Sequence, residues 1–346
     1  MPPRRNRTAT VSLLTAALLV AGGVFVGSGA ATEAPATTAV GAAQMAAAPG
    51  AYPVGLRKFS FARGKDRPLP TMVWYPAKGR RSKGKAQADA TPAGGAFPLL
   101  LWSHGFYSNP QMQESVTRFL AESGYVVVAP AYPFTKKDGP KFNKLDVPNQ
   151  ATDASYVISQ MLLPGNPLAN SIDPERMGAI GHSGGGTTTN WLFTGKRDPR
   201  LRVGVLLAGR PTSTYQGEPV PLLFVHGDKD PVVAYSQGRE SYGKDPWPKA
   251  FLTIKGGEHG AGTGDAERGH TQAMATILDF LLWGLNGDDA ARQRLEKDAT
   301  LAGVTQFEQV GIYSANTTTS TTTTTAAAAT ASATGKTLER AGSAAG

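Results

Sequence analysis

The stretch Met177-Gly178-Ala179-Ile180-Gly181-His182-Ser183-Gly184-Gly185 passes from a short apolar run into a glycine cluster with a serine at its centre. Such a run, bounded by a turn signal, reads as a buried strand. Glycines two before and two after the serine let the chain turn steeply with its neighbours close, so that the hydroxyl projects from the end of the strand. Residues 186–193 follow as a helix. A bare Gly-x-Ser-x-Gly string also fits a simple glycine-rich turn; the flanking strand and helix make this one a candidate nucleophile site.

A serine hydroxyl is a poor nucleophile at neutral pH. It needs a base within hydrogen-bond reach and a carboxylate to orient that base. Downstream, a strand from Pro221 ends in His226-Gly227-Asp228-Lys229-Asp230-Pro231-Val232-Val233, and the next strand ends before Lys255-Gly256-Gly257-Glu258-His259-Gly260. Both loops leave the carboxyl ends of strands, where the sites of α/β sheets gather. Asp230, just before Pro231-Val232-Val233, suits a carboxylate turned back toward the sheet; Asp228, at the strand exit, suits capping of the turn.

Of the five histidines, His104, His182 and His226 sit inside strand-end motifs and His270 opens a helix, positions that suit structural hydrogen bonding. His259 lies in a glycine-rich loop and is expected to be the base, with His270 the alternative. Glu258, His259, Asp265 and His270 match no compact metal-ligand spacing, and neither metal nor cofactor is expected. Acyl transfer also needs donors aimed at the developing oxyanion. The amide of Gly184 is one candidate. The other comes from Ser103-His104-Gly105-Phe106-Tyr107, with Phe106 first and Tyr107 second. Tyr107 and His182 are the expected substrate-pocket residues.

Further out, apolar runs alternate with segments of helical period. Strands are expected at Thr71–Trp74, Pro98–Trp102, Tyr125–Ala129, Met177–Gly181, Val203–Leu207, Leu222–Val225 and Phe251–Ile254. Helical spacing appears in Met112, Val116, Phe119 and Leu120, in Ala154, Val157, Ile158, Met161 and Leu162, and from His270 to Leu285. Repeated strand, helix, strand implies an α/β domain: a mostly parallel central sheet with helices on both faces.

At the ends the composition changes. In residues 1–30, Arg4, Arg5 and Arg7 precede an apolar run from Val11 to Val26 and the small residues Ser28-Gly29-Ala30, the pattern of a signal peptide, so a secreted, extracellular protein is expected. Residues 31–50 are an Ala/Thr/Pro-rich linker, 51–313 the folded domain, and 314–346 a Thr/Ala-rich tail too poor in large apolar side chains to fold. The 346 residues contain no cysteine, which excludes thiol nucleophiles, thiolate metal sites and disulfides. Lys+Arg 35 against Asp+Glu 26 gives a net charge of +9, yet no nucleic-acid recognition motif accompanies it.

The unit from about Leu56 to Leu285 resembles the α/β-hydrolase superfamily, and within it the secreted branch of platelet-activating-factor acetylhydrolase-like, chlorophyllase-like and cutinase-like polyester hydrolases. The resemblance is carried by Leu69-Pro70-Thr71-Met72-Val73-Trp74-Tyr75-Pro76, Leu101-Trp102-Ser103-His104-Gly105-Phe106, Gly124-Tyr125-Val126-Val127-Val128-Ala129-Pro130, the serine turn, and His226-Gly227-Asp228-Lys229-Asp230. It implies the α/β-hydrolase fold and esterase or lipase chemistry through a covalent acyl-enzyme without a cofactor. Polyester hydrolases of this branch usually carry Tyr at the position of Phe106, Met at Gly184, a nearby Trp where this chain reads Leu207-Ala208-Gly209-Arg210-Pro211, and C-terminal cysteines. Those departures weaken the expectation of a polyester substrate, which stays beside a lipid and a small ester among the expected substrates.

The expected function is therefore a serine carboxylic-ester hydrolase, with Ser183, His259 and Asp230 as its triad and an ester as its partner molecule. A peptidase on the same fold and a non-catalytic binding module are the alternatives. A monomer is assumed. One basic stretch stands apart: Arg57, Lys58, Arg63, Lys65, Arg67, Lys78, Arg80, Arg81, Lys83 and Lys85 face one nearby acid, Asp66. Either these residues solvate a hairpin or they attract the protein to anionic surfaces.

Overall fold

The computed structural model describes residues 50–82 and 84–313. The expected signal peptide (1–30), almost all of the linker (31–50) and the tail (314–346) lie outside the described residues. In chain order the elements are β1 (Val54–Ala62), β2 (Pro68–Pro76), β3 (Gln87–Ala88), β4 (Phe97–Ser103), α1 (Glu114–Glu122), β5 (Val126–Pro130), α2 (Val147–Leu162), β6 (Ile172–His182), α3 (Gly184–Trp191), β7 (Leu201–Leu207), β8 (Leu222–Gly227), α4 (Tyr235–Lys244), β9 (Lys249–Ile254), α5 (His270–Asn286), α6 (Asp289–Ala299) and β10 (Thr305–Val310).

One sheet runs in the order β10-β9-β8-β7-β6-β4-β5-β2-β1-β3. From β5 to β9 every neighbour pair is parallel, and antiparallel strands border this block, β2 against β5 and β10 against β9. The parallel strands are almost wholly apolar because helices cover both faces. Successive residues of β4 show the alternation directly. Leu100 and Trp102 join the core beneath α1, α5 and α6; Leu99 and Leu101 join the core beneath α2 and α4. This is the α/β-hydrolase architecture that the sequence implied.

All seven expected strands are present. Three more, β1, β3 and β10, lie toward the sheet edges, and helices α4 and α6 were not anticipated. β1 is only half-buried and carries Arg57 and Lys58, so its apolar signal is weak. The basic stretch is partly internal to the fold. Arg57 pairs with Asp89, Arg63 with Asp153, and Arg67 with both Asp146 and Asp153. Lys58, Lys65, Lys78, Arg80 and Lys85 remain exposed.

Candidate active site

Ser183 stands between β6 and α3 with φ 60° and ψ −122°. Residues with a Cβ rarely occupy this region, and holding one there costs on the order of 1–3 kcal/mol. The turn is locked from both sides: Ser183 N–H donates to the Leu207 carbonyl at 2.9 Å, and the Ser183 carbonyl accepts from Thr187 N–H at 3.0 Å. A side-chain carbon on Gly185 would run into the Ser103 carbonyl, and one on Gly181 into the Gly185 carbonyl, so the close approach of these segments requires glycine at both. The loop after β4 lies against the turn as well, since a Cβ on Gly105 would sit 3.1 Å from that of Ser183.

His259, in the loop between β9 and α5, brings Nε2 to 2.8 Å from Ser183 Oγ and Nδ1 to 2.7 Å from Asp230 Oδ2. Asp230 is fixed in turn. Its Oδ1 accepts the amides of Val232 at 2.8 Å and Val233 at 2.9 Å. Burial pushes its carboxyl pKa up, but the hydrogen bonds from His259 and from those amides outweigh burial and hold it below the usual aspartate range. An ionised carboxylate only accepts, so the imidazole proton sits on Nδ1. Nε2 is thereby left to accept the serine hydroxyl. The result is one hydrogen-bonded chain from carboxylate through imidazole to hydroxyl.

The competing residues face elsewhere. Asp228 Oδ1 accepts Gly256 N–H at 2.7 Å, tying the loops after β8 and β9 together. His270 lies on the groove between α1 and α5, with Nε2 3.6 Å from Asp265, and it is not brought to Ser183.

Three other histidines brace the site. His104 Nδ1–H donates to the Gly105 carbonyl at 2.8 Å while its Nε2 accepts Tyr132 N–H at 3.0 Å, clamping the loop that carries Phe106. His182 Nε2–H donates to the carbonyl of His259 itself at 2.7 Å. His226 Nε2–H donates to the Val233 carbonyl at 2.9 Å, and Asp230 Oδ2 lies 3.3 Å from the same nitrogen. Burial pushes His104 and His182 down to about 4 and also lowers His226, so near neutral pH all three are uncharged.

Among family models, one described as PET hydrolase-like matches residues 85–279, more than half of the chain and all three linked residues. The chain belongs to the PET hydrolase-like family. Among solved structures, a ferulic acid esterase from Streptomyces cinnamoneus is similar, with a TM-score of 0.57 and 19% identity over 72% of this chain and 93% of that one. At that identity the likeness carries the fold. No curated protein matches the chain.

PET hydrolase-like membership makes the chain a member of the α/β-hydrolase esterases, and its site opens on a cleft of about 490 Å³ bounded by Ser183, Gly184 and largely apolar side chains such as Phe106, Val147, Pro148 and Trp191. The Phe106 ring covers Gly184 so closely that any side chain there would strike it. Gly184 opens α3, where the first amides have no intrahelical acceptor, and the amide of Phe106 has no acceptor among the described residues. Tyr107 N–H is already given to the Thr135 carbonyl at 2.8 Å, which removes it as the second donor.

The structure places the two expected pocket residues outside this cleft. Neither Tyr107 nor His182 is among the residues lining the cleft. Tyr107, 62% exposed, stacks on Phe142 at 4.3 Å, and His182 is held behind His259. Walls the sequence did not reveal come from Lys144, Leu145, Val147, Pro148, Trp191, Arg210 and Val232. They lie on loops and helix ends with no motif to mark them.

Proposed function

We propose that the protein is a secreted serine carboxylic-ester hydrolase that acts through an acyl-enzyme. The hydrogen-bonded chain Ser183–His259–Asp230 at the floor of an apolar cleft carries this reading. Ser183 Oγ attacks the ester carbonyl while His259 Nε2 takes its proton, and Asp230 holds the ring in the tautomer that can do so and stabilises the imidazolium. The amides of Gly184 and Phe106 receive the oxyanion. Collapse of the tetrahedral intermediate breaks the bond to the alkoxy oxygen, which leaves as the alcohol with the proton from His259. Water, deprotonated by His259, then attacks the acyl-serine; carboxylic acid departs and the proton returns to Ser183 Oγ. The apolar cleft supports esters with an aliphatic or aromatic acyl group over the polar backbone of a peptide.

The deciding experiment compares wild type with Ser183→Ala and His259→Ala on 4-nitrophenyl butyrate, with fluorophosphonate labelling of the serine and a thermal melt of each variant. Both variants should lose on the order of 10⁴-fold or more in kcat because the three residues act as a unit, and Ser183→Ala should melt normally and resist the label. Retained turnover in Ser183→Ala would falsify the assignment. Mass spectrometry of protein recovered from the culture medium tests export, through removal of residues 1–30.

A further inference from the structure

The cleft is apolar except for two charges of the same sign. Lys144, beside Leu145, and Arg210, beside the strand-end loop after β7, are the charged residues among those that line it. Two acids next to wall residues in the chain are already engaged: Asp146, two residues from Lys144, is held by Arg67, and Asp230, two residues from Val232, by His259. Neither Lys144 nor Arg210 has a carboxylate partner among the described residues. Arg210 is positioned rather than floating. Its own N–H donates to Thr187 Oγ1 at 3.1 Å, its carbonyl accepts from Asn190, and its guanidinium donates to Gln237 and to the Val232 carbonyl. Five N–H donors are available on a guanidinium, so three remain for a ligand. Leu145 and Val232, 78% and 58% exposed, place apolar surface next to the two cations.

We infer that the preferred substrate is an ester bearing a carboxylate on the part that reaches the mouth of this cleft, recognised by Arg210 and Lys144. The inference rests on Ser183 being the nucleophile of an esterase. Two uncompensated cations against low-dielectric walls concentrate an anionic substrate and orient it, and the planar fork of Arg210 matches a carboxylate. A neutral ester of equal size gains neither effect.

Two matched substrate pairs test it: 4-nitrophenyl hydrogen adipate against its methyl ester, with the charge on the acyl half, and 4-butyryloxybenzoate against its methyl ester, with the charge on the leaving half. Spontaneous hydrolysis is subtracted. In wild type at low salt, at least one pair should show kcat/KM about tenfold higher for the anion, and this ratio should fall toward one near 0.5 M salt as screening sets in. Lys144→Gln and Arg210→Gln should each lower the anion-to-neutral ratio about two- to fivefold, the size expected for an exposed ion pair. The double variant should abolish the preference. Because Arg210 touches the Val232 loop, Lys144→Gln and Arg210→Lys serve as variants with less structural consequence. A ratio at or below one in both wild-type pairs overturns the inference and leaves the esterase reading standing, as does a preference that survives in the double variant. No turnover of any of the four esters overturns both.

Discussion

Asp228 and Asp230 stand two residues apart on the same loop, and their hydrogen bonds give them different work. Asp230 Oδ1 is occupied by the amides of Val232 and Val233. In Asp230→Asn the carbonyl oxygen of the new amide must keep that place, which puts its NH₂ where Oδ2 met His259. His259 would then accept at Nδ1 and carry its proton on Nε2, the tautomer that cannot take a proton from Ser183. The expected loss is on the order of 10³–10⁴-fold in kcat, the scale known for such a substitution in other triads. Asp228→Asn keeps the oxygen that accepts Gly256 N–H and should change kcat/KM on 4-nitrophenyl butyrate by no more than about twofold. Equal losses in the two variants would defeat the assignment of roles. At this scale the sequence was informative for a physical reason: strand ends are read from apolar runs, and the residues just past them face one edge of the sheet. The partners that hold His104, His182 and His226, the Tyr132 N–H and the carbonyls of His259 and Val233, were not legible, because they come near only after folding.

Among the elements, the hairpin of β1 and β2 reaches across to hold the cleft wall. Arg67, at the turn between these strands, donates from Nη1 and Nη2 to the two oxygens of Asp146 at 2.8 and 2.7 Å. Its Nε donates to Asp153, and its guanidinium lies 5.2 Å from the Phe134 ring centroid. Burial works against its charge, yet the two carboxylates outweigh burial and raise its pKa. Asp146 and Asp153 are 4% and 0% exposed, so neither has water as a substitute partner. Arg67→Met should cost about 3–5 kcal/mol in urea unfolding, as expected when one member of a buried ion network is removed. Adding Asp146→Asn should recover part of the loss, since Asp153 keeps Arg63 and Asp146 is then no longer a buried charge without a cation. A single variant as stable as wild type would show that the network contributes nothing. This arrangement also explains what the sequence concealed. Arg67 reads as one more basic residue on a hairpin, because its acids lie about eighty residues away. The α6 helix was legible in principle: Asp288 accepts Ala291 N–H at 3.0 Å as a cap, and Ala291, Leu295 and Ala299 recur every fourth residue on its buried side. Its charged composition hid so narrow a stripe. The edge strand β10 offers only Phe307 and Val310 as large apolar residues, too few to show a period.

For the molecule as a whole, buried titratable groups set opposing slopes of stability against pH. His104 and His182 titrate at about 4 when folded, against 6.5 for the free group, because burial disfavours the imidazolium. The unfolded chain therefore binds more protons between these values, and the stability they contribute above pH 6.5 is lost as pH falls toward 4. Asp245 and Asp279 do the reverse. Burial raises them from 3.8 to about 7 and about 6, so the folded chain holds the proton longer, and stability declines as pH rises from about 4 through those values. From pH 4 to about 7 the two effects oppose each other, since the unfolded imidazoles titrate around 6.5 while Asp245 holds its proton up to about 7. Asp245 lies just before β9, at the end of the strand away from the site, where its Oδ1 accepts Trp247 N–H at 2.9 Å and its Oδ2 is buried without a hydrogen-bond partner among the described residues. Lys249 donates to the Asp245 carbonyl and pulls the carboxyl pKa down, but less than burial raises it. Asp245→Asn keeps the Oδ1 contact and removes the ionisation, while whatever its amide costs is the same at every pH. The stability of Asp245→Asn relative to wild type should therefore improve by on the order of 3 kcal/mol between pH 4 and pH 9, with kcat on a neutral ester unchanged. Urea midpoints of the two proteins across that range measure it, and a difference that stays flat with pH would mean that Asp245 is already ionised in the acid-folded protein.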